Sequence, residues 1–176
     1  DGAIRILTHP EENNRLTWDI YSGKSELFPS FHVFKVYQDK AGNDWLLTDN
    51  GLGLIRPGTR EPVSYFTETK GKNGGMNQAF YAAQENDGHI RFASDHGRIW
   101  SYRKEGGDFT LFELPTKSRI TSIHEVAPEQ TVVTTDSDGF FTYHLKTKAA
   151  VHYSSLTCKA LPDRPILSAY VDRSSE

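Results

Sequence analysis

The 176-residue sequence predicts an all-β protein made from a repeated four-stranded antiparallel sheet. Three observations carry this expectation. Aromatics are plentiful, with 10 Phe, 8 Tyr and 3 Trp against one Met and one Cys, and Gly and Pro recur at intervals, the profile of short strands joined by tight turns. A strand ending in an acid occurs four times: FKVYQD (Phe34–Asp39), FYAAQE (Phe80–Glu85), ITSIHE (Ile120–Glu125) and LSAYVD (Leu167–Asp172), with the acids 46, 40 and 47 residues apart. A polar turn closing on glycine occurs three times: TDNG (Thr48–Gly51), SDHG (Ser94–Gly97) and DSDG (Asp136–Gly139), with the glycines 46 and 42 residues apart; Asp1-Gly2 reads as a truncated fourth. Two independent anchors agree on one period, and such a period is the mark of a repeat architecture.

The elements follow from one full copy. Phe34–Gln38 is strand a, Asp44–Leu47 strand b, Leu52–Arg56 strand c and Val63–Phe66 strand d. The connections DKAGN, TDNG and RPGTRE each hold a glycine, and Asn-Gly is the strongest short hairpin signal because both central residues take positive φ. Four antiparallel strands in every ~40–50 residues describe a β-propeller blade. Three blades are nearly complete, at 31–70, 76–115 and 118–158, with partial blades at 1–30 and 164–176, so the chain is expected to be a fragment of a larger propeller. Strand a carries Val36, Ala82, Ser122 or Ala169 at its third position, small residues suited to the crowded centre of a ring, and a large apolar residue at its first, suited to packing between blades. MNQAFYAAQEN (Met76–Asn86) has a local helical preference through its Ala, Gln and Glu content, which the repeat is expected to override. RLTWDIYSGKSELF (Arg15–Phe28) lies off the repeat and takes Trp18 with it.

Charge and composition remove several classes. The net charge is -3, with 20 basic and 23 acidic residues spread along the chain, so no block neutralises a row of phosphates and nucleic acid is not an expected partner. No apolar run approaches the ~20 residues that cross a bilayer, so no direct membrane insertion is expected. The first residues, DGAIRILTHPEENN, lack the order of a signal peptide and read as part of a mature domain or an excised piece. Cys158 is the lone cysteine, which leaves no internal disulfide and no cysteine-built zinc site.

The first copy, VFKVYQDKAGNDWLLTDNGLGLIR, with its D-x-x-G-x-x-W-x-x-T-x-x-G-[LF] pattern, resembles the two-component regulator propeller repeat. Asp39, Gly42, Trp45, Thr48, Gly51 and Leu52 match it. The second copy keeps Gly88, Ser94 and Gly97 but has Glu85 for Asp and Arg91 for Trp; the third keeps Glu125, Thr135 and Gly139 and has VAPEQT in place of the glycine turn between strands a and b. The resemblance covers about residues 31–172. It implies seven-bladed propellers outside the inner membrane, in the periplasmic sensor region of hybrid histidine kinases such as those of gut Bacteroides. It also implies a module that is often dimeric and responsive to oligosaccharides, joined to the remaining blades of its ring, with the kinase domain outside this chain.

Catalytic patterns are weak: G-x-S-x-G, H-E-x-x-H and G-x-x-x-x-G-K-[ST] are all missing from the sequence. The seven histidines are scattered singly, without ligand-like spacing, and DSDG has only the first ligands of a calcium loop, so no metal site, cofactor or catalytic residue is assigned. The strand-end acids occur once per module and read as turn-capping groups rather than as the paired carboxylates of glycoside hydrolysis. Trp45 stands in the repeat's own tryptophan column and reads as core.

Fold geometry selects one surface. In a propeller the d–a and b–c loops gather on one face around the central channel. Here they supply Phe31, His32, Asp49, Asn50, Asn77, Gln78, Asp95, His96, Arg119, Asp136, Asp138 and Arg164. Amides, carboxylates and an aromatic suit sugar hydroxyls, and Arg119 or Arg164 would suit an acidic saccharide. The leading expectation is a sensor module that binds a small molecule without turning it over. A propeller lyase or glycan-cleaving enzyme, and a scaffold that binds protein along a blade edge, are the other readings.

Overall fold

The computed structural model describes residues 2–9 and 15–22 as backbone, and residues 32–59, 62–66 and 78–172. All regular structure among them is β. The chain forms two compact units, 1–79 and 80–176. The first unit contains an antiparallel pair, β1 (Gly2–His9) with β2 (Arg15–Ser22), and a sheet of β3 (Val33–Gln38), β4 (Asp44–Thr48), β5 (Gly51–Ile55) and β6 (Val63–Tyr65) in sequence order. The second unit contains two such sheets: β7 (Phe80–Asn86), β8 (His89–Ser94), β9 (Arg98–Arg103) and β10 (Asp108–Glu113), then β11 (Ile120–Ala127), β12 (Gln130–Thr135), β13 (Phe140–His144) and β14 (Ala150–Tyr153). Every pairing is antiparallel between sequence neighbours, so each sheet is the four-stranded meander of a propeller blade. These are the first, second and third blades below.

Where local preference and repeat conflicted, the repeat prevailed: Phe80–Asn86 is a strand, β7. The opening strand of a further blade at Leu167–Asp172 is not formed. Ile166 N–H donates to the Thr135 carbonyl at 3.2 Å and the Thr121 hydroxyl donates to the Ile166 carbonyl, so the chain entering this segment is tied to the third blade. A strand needs a ladder of hydrogen bonds, and this segment forms none among the described residues. It instead borders an apolar cleft of about 390 Å³, with Leu161, Ile166 and Tyr170 facing Val132 and Phe140.

Strand a of the first blade is offset by one residue from the sequence alignment. Each inner strand opens with a bulge: Val33 pairs with Thr48, Phe80 with Ser94 and Ile120 with Thr135, and the ladders resume at Lys35, Ala82 and Ser122. Val33, not Phe34, therefore shares a column with Phe80 and Ile120. Phe80 and Ile120 are fully buried, whereas Phe34 is 49% exposed on its bulge. Ala82 and Ser122 are buried as expected, but Val36 occupies a different column and is 41% exposed.

The first blade buries every residue of β4 and β5, including Trp45, Leu46, Leu47, Leu52 and Ile55. Each large apolar side chain so buried contributes roughly 1.5–3 kcal/mol. Trp45 is core: its Nε1–H donates to Asp39 Oδ2 at 3.2 Å and its ring lies 5.9 Å from that of Tyr65. In the second unit a single core joins both blades, with Ala82, Ala93, Ile99 and Leu114 packed against Ile120, Ile123, Val133, Phe141 and Tyr143. Arg91, aligned with Trp45, is buried in the second blade. Burial pulls its guanidinium below the usual range, and the charges of Glu125 and Asp87 oppose that shift.

Candidate functional site

The b–c turns of the first and third blades share one construction. Gly51, at φ 101°, and Gly139, at φ 65°, take a left-handed backbone that costs other residues strain. A threonine at the end of strand b locks the turn. The Thr48 hydroxyl donates to the Gly51 carbonyl at 2.8 Å and accepts from Asn50 N–H at 3.1 Å; the Thr135 hydroxyl donates to the Gly139 carbonyl at 2.9 Å and accepts from Asp138 N–H at 2.9 Å. The residue after each threonine is an aspartate that reaches the chain entering strand a.

Asp49 accepts from His32 N–H at 3.2 Å, lies 3.0 Å from His32 Nδ1, and returns its own N–H to the His32 carbonyl at 3.1 Å. Asp136 repeats this with Arg119, accepting from its N–H at 3.2 Å, pairing with its Nε at 3.3 Å and donating N–H to its carbonyl at 3.1 Å. In the second blade Asp95 accepts from the Tyr81 hydroxyl at 3.3 Å, and the Arg119 guanidinium sits 4.9 Å from the centre of the Tyr81 ring. A line of contacts, Asp95, Tyr81, Arg119, Asp136, thus crosses from second blade to third. Burial, with Asp95 beside it, raises the Tyr81 phenol above its ordinary range, against the opposing pull of Arg119.

Two clefts open on this loop face of the second unit. One, of about 520 Å³, lies between the b–c turn of the third blade and the chain that follows β14, and is lined by Asp136, Asp138, His152, Ser155, Asp163 and Arg164 among others. The other, of about 540 Å³, is lined by His96, Arg98, Glu113, Thr116, Lys117 and Asp138 among others. Both fall within the size range of small-molecule sites. Asp138 borders both and is fixed, its carboxylate 3.0 Å and its carbonyl 2.8 Å from His152 Nε2. The His152 ring stacks 4.5 Å from Phe141.

Of the residues the sequence selected, Asp136, Asp138 and Arg164 meet in one cleft, and His96 and Asp138 in the other. Asp95 and Arg119 join through Tyr81, and His32 and Asp49 pair in the first unit. Gln78 is buried, its carbonyl accepting Gly51 N–H at 2.8 Å, and Asn50 serves the turn. Phe31 and Asn77 lie outside the described residues. Sequence reasoning missed Tyr81, His152 and Lys117. Tyr81 is the bulge residue of strand a, a position at which the one-residue offset hides any column. His152 lies on strand d, whose copies share no motif.

The strand-end acids divide. Asp39 caps its turn, accepting from Ala41 N–H at 2.9 Å and Asn43 N–H at 3.0 Å. Glu85 lies on β7 and pairs with Lys104 at 2.7 Å. Among the described residues no cluster of three or more His, Cys, Asp or Glu side chains is placed to hold a metal ion, and no helix is long and apolar enough to cross a membrane.

The meanders and their loop face define the chain as a set of β-propeller blades. No family model and no curated protein matches the sequence. Solved structures match the fold. The extracellular domain assigned to a hybrid two-component system of B. thetaiotaomicron superposes with a TM-score of 0.73 at 18% identity, over 98% of this chain and 23% of its own. A second such domain from the same organism gives 0.65 at 20% identity, over 79% and 20%. PorZ, a surface component of the type-IX secretion system of Porphyromonas gingivalis, gives 0.67 at 15% identity, over 93% and 26%. The chain therefore spans about a quarter or less of the length of the first two. These matches share the propeller fold and include extracellular domains of hybrid two-component systems.

Proposed function

We propose that the chain is a ligand-sensing propeller module from the periplasmic part of a hybrid two-component sensor, with the histidine kinase outside this chain. Its ligand is an oligosaccharide held on the d–a and b–c loop face, and the remaining blades of the ring and a second copy are its partners. The observation that carries the reading is the cleft beside Asp138. Fixed carboxylates, serine hydroxyls and a guanidinium converge there, the donor and acceptor set that sugar hydroxyls need. The solved structures that share the fold and belong to extracellular sensor domains support the assignment to signalling.

The test is a thermal-shift screen of the protein against glycan oligosaccharides, with the mixtures then analysed for cleavage products. A binder raises the midpoint as its concentration passes the dissociation constant. Stabilisation with the oligosaccharide recovered intact is the expected result; product formation would sink the sensor reading in favour of an enzyme.

A further inference from the structure

The two clefts are the same place in successive blades. In each, the b–c turn glycine lets the chain leaving strand d press against the turn. A Cβ on Gly97 would lie 2.8 Å from Thr116 Cγ2 and 3.0 Å from the Leu114 carbonyl oxygen; one on Gly139 would collide with the Tyr153 carbonyl oxygen and lie 3.0 Å from Ser154 Cα. The same closure is tied by hydrogen bonds in the second blade, where Leu114 N–H donates to the Gly97 carbonyl at 2.9 Å and Gly97 N–H to the Ser118 carbonyl at 3.0 Å. Each cleft is therefore floored by a b–c turn and walled by the chain after strand d. Asp138 stands between them, held on both its carboxylate and its carbonyl by His152.

Resting on the proposed ligand-binding reading, we infer that the two clefts are tandem subsites for one linear, neutral, polyhydroxylated oligomer that crosses the fixed Asp138 ridge. Repetition of the protein at the blade period offers repeated subsites, which a repeating ligand can fill together and a single unit cannot. The charges of the cleft beyond the third blade disfavour an anionic chain, and in the other cleft Arg98 is engaged by Glu113. The cleft beyond the third blade carries three carboxylates, Asp136, Asp138 and Asp163, against the single guanidinium of Arg164. Arg119, the other cation expected to draw an acidic saccharide, is engaged by Asp136. An anionic chain would bring like charge to the carboxylates, whereas hydroxyl groups donate to them.

The experiment is calorimetric titration of the protein with ladders of neutral glucose oligomers, α- and β-linked, from the single sugar upward, beside a ladder of uronic acid oligomers. Lys117→Trp fills one cleft and Leu156→Trp the other, both at exposed positions, and unchanged melting curves show that the fold is intact. Linking two weak contacts raises affinity through effective concentration, so a neutral chain long enough to reach both clefts should bind at least about tenfold more tightly than a single unit. Either tryptophan should return the long chain to the affinity of the short one, while changing single-unit binding by only about twofold, since one of two sites remains. Affinity independent of length, or a tryptophan effect confined to one cleft, overturns the tandem arrangement and leaves the sensor reading standing. Preference for the uronic acid ladder overturns the charge argument. Failure of every ladder to bind overturns the saccharide reading itself.

Discussion

The two ends of the blades are built on opposite plans. At the a–b end each blade closes its hairpin differently. The first uses a five-residue loop, 39–43, organised by Asp39; the second uses Asp87-Gly88 with both residues at positive φ; the third uses Pro128-Glu129 with Glu129 at φ 64°. At the b–c end a glycine recurs at left-handed φ in all three, and an aspartate reaches back to the chain entering strand a in the first and third. An end whose only task is to return the chain tolerates any turn that fits a two-stranded ladder. An end whose turns must also meet the chain entering strand a does not.

That contrast breaks most sharply at Gly139. A methyl group there would collide with the Tyr153 carbonyl and force a side chain into left-handed backbone, so Gly139→Ala should destabilise by about 3 kcal/mol. Gly97→Ala, whose nearest obstacle is a threonine methyl, should cost about 2 kcal/mol. Gly88→Ala, at the a–b end, meets no heavy atom within 4 Å and should cost only the φ penalty of about 1 kcal/mol. Urea midpoints at constant m-value measure the series; equal losses at all three positions would erase the distinction between the ends.

The a–b end has one costly residue. Asp39 is 5% exposed and gathers Ala41 N–H, Asn43 N–H, the Asn43 amide and the Trp45 indole. Asp39→Ala orphans these donors inside the structure and should cost about 2 kcal/mol, with a change in tryptophan fluorescence from Trp45.

How much of this was legible in the sequence differs between the ends for the same reason. The b–c glycines were visible because a steric demand on the backbone leaves one acceptable residue, and spacing then revealed the blades. Trp45 was correctly placed in the core because a repeat column explains it without a ligand. The offset of Phe34 was hidden because the a–b loops differ in length, so aligning the acids shifted the first strand by one residue against the other two. Tyr81 and His152 were hidden because a bulge position and an outer strand carry no shared motif; only folding brings Tyr81 to Asp95 and His152 to Asp138.

At the b–c end the aspartates themselves contribute little to stability. Asp136 and Arg119 are both partly exposed, and such pairs are worth ~0.2–1 kcal/mol. Asp136→Ala should therefore lower stability by about 0.5–1 kcal/mol, with the lost Arg119 N–H contact included. In ligand titrations the same substitution should weaken oligosaccharide binding more than the stability loss predicts. A loss of stability alone, with binding intact, would move the ligand away from this cleft.

The smallest effect has the opposite sign. Glu129, at φ 64°, holds the left-handed position that Gly88 holds in the second blade, following Pro128 in the two-residue connection between Ala127 and Gln130. Its side chain pairs with Lys146, whose own side chain is 76% exposed, so that ion pair returns little. Glu129→Gly removes the φ strain of a non-glycine residue, worth about 1 kcal/mol, and loosens the unfolded chain by slightly less. A net gain of about 0.3–0.5 kcal/mol is expected in urea unfolding. A loss instead would mean that the third blade uses the Glu129–Lys146 pair to hold its a–b end, and that this end is under a constraint of its own.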